Sequence, residues 1–222
     1  MFKEKIKNTL IILNSLPLNI KLFGIREGIK VPILININVK VMGITKNNII
    51  ITSKLHHGMI RIGLNASHFI GKSTSSICIT NGGLLKIGND VTFGEGINIF
   101  INGGTLTIND RFYSNANLLI QCESTVTINS DCLIGWNVQI RDTDGGHQVI
   151  KNGKTSINKN KLIEIGSHNW IASDCILLAN NKIGDNNIIA CNSLVKGINC
   201  ANNNLIAGSP AKIKEGEYNW KE

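Results

Sequence analysis

From Ile165 onward an aliphatic side chain returns at every sixth position: Ile171, Leu177, Ile183, Ile189 and Val195. A helix repeats every 3.6 residues and a flat strand every two, so neither alone explains a strict six. A period of six is that of a hexapeptide β-helix, a solenoid in which each six-residue unit forms one side of a coil. The step persists upstream through Ile87, Phe93 and Ile99, weakens at Ile108, Ser114 and Ile120, and recovers at Ile128, Ile134 and Ile140. A plain three-sided coil takes about 18 residues. The similar tracts 82–89, 103–110 and 123–130 lie roughly 20 apart, so one corner carries extra residues.

The ladder breaks between Ile140 and Ile165. An insertion of this length in a regular scaffold is usually functional. It holds His147 and the lysines 151, 154, 159 and 161. Residues 1–57 lack the repeat and read as a helical or irregular lead-in followed by apolar runs (31–41, 49–52) that cap the first coil. The expected organisation is therefore a cap over 1–57, a coil over 58–200 with a loop at 141–164, and a charged tail over 201–222.

Composition fits a narrow all-β interior: 42% of residues are hydrophobic but only 5% aromatic. Abundant Asn and Gly suit tight corners that need positive φ. The net charge of +8 speaks to solubility, or to attraction of an anionic small molecule. Without a recognisable binding motif or interleaved aromatics it does not point to nucleic acid. The six cysteines form no Cys-x-x-Cys pair, and Cys132 and Cys175 fall at inward positions, as buried thiols of a reducing compartment do. The N-terminal apolar run is interrupted by Asn14, Ser15 and Pro17. It reads as an amphipathic cap, with at most a peripheral membrane contact, rather than a secretion signal.

Of five histidines, His147 stands apart. It follows Gly145-Gly146 in the extruded loop, with Asp142 and Asp144 close by. An imidazole can take a proton from an alcohol or amine as that atom attacks an electrophile, and a carboxylate can hold its tautomer. Either aspartate could do so. No set of three donors suggests a metal. Trp136 and Trp170 occupy coil positions that rarely hold so large a ring; covering a neighbouring subunit and walling a ligand site are both open.

Three tracts in this order, 134–147 (Ile-Gly-Trp-Asn-Val-Gln-Ile-Arg-Asp-Thr-Asp-Gly-Gly-His), 165–173 (Ile-Gly-Ser-His-Asn-Trp-Ile-Ala-Ser) and 206–212 (Ile-Ala-Gly-Ser-Pro-Ala-Lys), resemble the hexapeptide-repeat acyltransferases. The likeness is to the branch that acetylates sugars in bacterial surface polysaccharide synthesis, and it spans roughly 58–214. It implies a left-handed parallel β-helix, a hand that general crossover rules would not predict. It also implies a homotrimer with acetyl-CoA lying in the groove between two adjacent coils; the cysteines and the N-terminal run set the expected place in the cytoplasm, at most touching the inner face of the membrane. In that likeness His147 is the general base, and Ser173 offers a main-chain N–H to the thioester oxygen. Trp170, Cys191, Ser193 and Lys196 line the pantetheine path, Lys212 meets the phosphates, and Trp136 and Asn137 face the acceptor. Lys196-Gly197 stands where relatives carry Thr-Lys, and an Asn-rich link replaces their Pro-rich one. The expected activity is O-acetylation of a sugar. N-acetylation of an amino sugar, a serine acetyltransferase and a non-catalytic scaffold are the alternatives.

Overall fold

The computed structural model describes residues 2–64, 73–147, 149–151, 154–156 and 161–221. From Ile33 the chain runs through three faces in turn and repeats the circuit. The first face stacks strands Ile33–Ile35, Ile60–Ile62, Val91–Phe93, Tyr113–Ser114, Leu133–Ile134, Trp170–Ile171, Ile188–Ile189 and Leu205–Gly208. The second stacks seven strands from Val39–Met42 to Leu194–Val195, and the third seven from Ile49–Ile51 to Asn199–Cys200. Neighbours within each face are parallel and in register, as in Leu133↔Trp170 and Ile134↔Ile171. The result is a left-handed parallel β-helix.

The six-step is the inward file. Ile165, Ile171, Leu177, Ile189 and Val195 are fully buried and Ile183 nearly so. Each such side chain contributes about 1.5–3 kcal/mol by leaving water. Corners are turned by residues in the left-handed region, mostly Asn and Asp: Asn117, Asn137, Asp174 and Asn192 at the first-to-second corner, and Asp90, Arg111, Asp131 and His168 at the third-to-first. Their short polar side chains tolerate that conformation. In the late coils an interior asparagine ladder satisfies the turns. Asn187 N–H donates to Asn169 Oδ1 and Asn204 N–H to Asn187 Oδ1, both at 2.8 Å. Cys122, Cys132, Cys175 and Cys200 are buried free thiols. Burial pushes Cys122 and Cys132 up to about 12, which keeps them protonated and inert.

The coil begins earlier than the repeat in the sequence. Strands at 33–35, 39–42 and 49–51 pair in register with 60–62, 75–78 and 85–87, so they form the first coil. The covering element is α1 (Phe2–Gly28), which is interrupted at Gly24 (φ +76°). It closes the open edge of Ile33–Ile35 with side chains rather than backbone. Asn19 Oδ1 accepts from Ile33 N–H at 2.9 Å, and its amide donates to Ile33 C=O at 2.8 Å. Ser15 Oγ accepts from Ile35 N–H at 2.8 Å. Ser15, which interrupts the apolar run, thus clamps the sheet edge together with Asn19. At the other end the chain folds back as Ala211–Lys214, antiparallel to Leu205–Gly208.

Candidate active site

Two clusters form at opposite ends of the second-face strand Gln139–Arg141. The first lies at the corner joining the first and second faces. Here Trp136, Trp170, Ala172, Ser173, Ala190 and Cys191 line a groove of about 640 Å3, closed on one side by Trp220. Gly135 positions Ser173: a Cβ at Gly135 would lie 2.6 Å from the Ser173 nitrogen and 2.8 Å from the Ala172 carbonyl carbon, so only glycine fits. Ser173 Oγ accepts from Trp136 N–H at 3.1 Å. Ala172 N–H donates to Ile189 C=O and Asp174 N–H to Trp136 C=O. Between them the Ser173 N–H has no acceptor among the described residues. Corner geometry leaves Ala116 and Cys191 in the same condition. At Ser173 the unclaimed N–H belongs to a groove with aromatic walls.

The second cluster lies where the loop leaves the coil. Arg141, Asp142, Thr143, Asp144, Lys161 and Lys196 border a cavity of about 270 Å3. Gly145 and Gly146 both take positive φ (+73° and +82°), which turns the chain toward His147. His147 is exposed and stands outside the lining of this cavity.

Asp142 departs from the expectation that it orients His147. Its buried carboxylate accepts from Glu123 N–H and Ser124 N–H, each at 2.8 Å, and so clamps the preceding coil. Burial, the largest influence, holds its pKa above the ordinary carboxylate value. Asp144 is exposed and pairs with Lys161 at 3.2 Å, an interaction that lowers its pKa. Among the described residues no hydrogen bond joins His147 to either aspartate.

The remaining expected residues divide between these clusters and the coil itself. Trp136, Trp170, Ser173 and Cys191 meet in the first groove. Lys196 sits in the second, and Lys212 is exposed on the returning strand. Ser193, expected on the pantetheine path, has its side chain turned into the corner main chain. It is buried, donating to Ala190 C=O at 2.6 Å and accepting from Gly208 N–H at 3.2 Å, because the corner main chain needs those partners. Asn137 is also occupied: it donates to Asp174 Oδ1 and accepts from Asn117 Nδ2, both at 3.0 Å, as one rung of a corner ladder. His68 lies outside the described residues.

Sequence reasoning leaves Trp220 in the charged tail, with no role. In the fold it returns to stack on His168 (centroids 4.5 Å apart, planes 17°) and donates from Nε1 to His168 C=O at 2.9 Å. A lone tryptophan in a polar tail is the only local signal for it. Trp220 also borders a larger groove of about 1030 Å3, along which Arg61–Asp90 and Arg111–Asp131 ion pairs cross the coils.

No family model matches the chain. It is 29% identical over 144 residues to WbbJ of Escherichia coli K12, a protein named for lipopolysaccharide biosynthesis and O-acetyl transfer; the match covers 61% of this chain and 73% of that one. It is 34% identical over 116 residues to the galactoside O-acetyltransferase of the same organism. There the match covers 51% of this chain and only 55% of the relative, so the chain spans about half that enzyme's length. Among solved structures, the polySia-specific acetyltransferase NeuO superimposes with a TM-score of 0.62 at 20% identity, over 86% of this chain and 79% of its own. That agreement is one of fold. In sequence the chain is thus similar to proteins named as O-acetyltransferases, and in fold to a solved acetyltransferase.

Proposed function

We propose that this protein moves an acetyl group from acetyl-CoA to a sugar hydroxyl of a surface polysaccharide or its precursor. The work is done in the cytoplasm by a homotrimer. The observation that carries this reading is the unclaimed Ser173 N–H in a groove walled by Trp136 and Trp170. Such walls suit an extended pantetheine arm. A fixed N–H without an internal partner suits an oxygen that gains negative charge in the transition state.

A seam between copies suits the spacing of the two corners. Asn137 and Asp142, which bound the second-face strand, are five extended residues apart, about 17 Å. That spacing favours a His147 and a Ser173 contributed by neighbouring copies. Copies packed with their second faces toward a common axis place the His147 corner of one beside the Ser173 corner of the next.

At that seam His147 takes the proton of the acceptor hydroxyl as its oxygen bonds to the thioester carbon. The Ser173 N–H steadies the oxyanion. The C–S bond then breaks, and the thiolate recovers the proton from His147. The relatives named for lipopolysaccharide and galactoside acetylation support a sugar acceptor.

The test supplies acetyl-CoA with a panel of hexoses and hexosamines and follows product mass and its lability to mild base. A base-labile ester is expected; a base-stable amide would favour the amino-sugar alternative. Calorimetry showing no CoA binding would favour an idle scaffold. The seam is tested by mixing: His147→Ala and Gly135→Val copies, each nearly inactive alone, should regain part of the activity when assembled together. Mixtures that stay inactive would overturn the shared site.

A further inference from the structure

We infer that the outward face of α1 is a docking surface for an anionic lipid bilayer, on which the helix lies flat while its inner face caps the solenoid. At about 100° per residue, Ile11, Ser15, Leu18, Asn19 and Leu22 fall on one side and pack against the first coil. On the opposite side Ile6, Leu10, Leu13 and Pro17 form a continuous stripe in solvent. Leu10 is 50% exposed and Leu13 59%. Ile25, Ile29 and Ile37, each at least 60% exposed, extend the apolar surface at this end of the fold.

Charge identifies the occupant. Lys7 and Lys21 flank one edge of the stripe and Lys5 the other, all exposed, and no acidic residue occurs between Lys5 and Arg26. An apolar stripe bordered by lysines is the pattern of helices that lie in the interface of anionic membranes. A second copy fits poorly, because pairing this face with itself would set lysines against lysines. Crossing the bilayer is incompatible with the cap: Ser15 and Asn19, both fully buried, are bonded to the edge strand. Five coil steps of about 4.8 Å separate the first strand from Trp170–Ile171. Docking would therefore hold the Ser173 groove roughly 24 Å above the first coil, on the far side of the cap from the lipid. This inference does not rest on the proposed reaction.

The experiment is co-sedimentation of the full chain with vesicles of phosphatidylglycerol and phosphatidylethanolamine, and with phosphatidylcholine alone. Binding to the anionic vesicles is expected, falling steeply as salt rises and absent on phosphatidylcholine. L10S/L13S should weaken it at least about tenfold, and Lys7→Glu or Lys21→Glu by about fivefold each. The melting transition, unchanged within a few degrees, reports an intact cap. No binding to anionic vesicles overturns the inference, as does binding that the variants leave undiminished. So does a fall in molecular mass of L10S/L13S by light scattering, which would assign the face to a second copy.

Discussion

The two ends of the strand Gln139–Arg141 are built on different principles. At the Ser173 corner everything is repeat: a glycine made obligatory by the main chain of the next coil, an N–H left over by corner geometry, and tryptophans at outward positions. At the His147 corner the repeat is abandoned, and two glycines at positive φ lead to an exposed imidazole. In the proposed reaction, binding surface comes from the regular lattice, where coils fix its position. The proposed proton-transfer group comes from an excursion, where its length and aim are free to vary.

His147→Ala should break the excursion side alone. Turnover should fall by about two to four powers of ten, the usual contribution of a general base, with CoA binding and melting unchanged. Steady-state kinetics beside calorimetry checks this, and near-normal turnover would remove His147 from the mechanism. Gly135→Ala should break the lattice side. Its Cβ must push the Ser173 main chain away, so turnover should drop by about a hundredfold, as small misplacements cost, with weaker CoA binding as well.

Asp142→Asn sharpens the comparison by separating scaffold from chemistry. Asn offers one acceptor oxygen to two N–H donors, so stability should fall by about 1–3 kcal/mol while activity per folded molecule stays near that of the parent. A tenfold or larger loss of kcat would return Asp142 to the catalytic machinery. The pH dependence has a definite sign. Burial raises the folded-state pKa of Asp142, so the native state binds this proton more tightly than the unfolded chain, whose value is about 3.9. The contribution of Asp142 is greatest below that value and is lost as pH rises through the raised one. Urea melts of parent and variant should therefore diverge on acidification.

Much of this was legible in the chain itself, for physical reasons. Ile165 to Val195 announce the coil because one side of the prism is six residues long, so the interior file and the sequence period coincide. Trp136, Trp170, Ser173 and Cys191 converge because coils stack in register, which makes sequence spacing a map of space. Contacts that ignore the period were hidden. The clamp of Asp142 on Glu123 and Ser124 links a loop residue to the coil before it. Trp220 returns across 52 residues to His168. Ser15 and Asn19 look like flaws in an apolar run until the strand they serve is in place.

That clamp has a consequence for assembly. A parallel β-helix can in principle grow indefinitely, since its terminal coil offers the backbone pattern that the next coil would use. Asn19 and Ser15 fill those valences along the first face with side chains. A shortened chain lacking residues 1–30 would bare the row at Ile33–Ile35, and, with the far end of that face covered by Ala211–Lys214, its natural fate is pairing of this edge with the same edge of another copy.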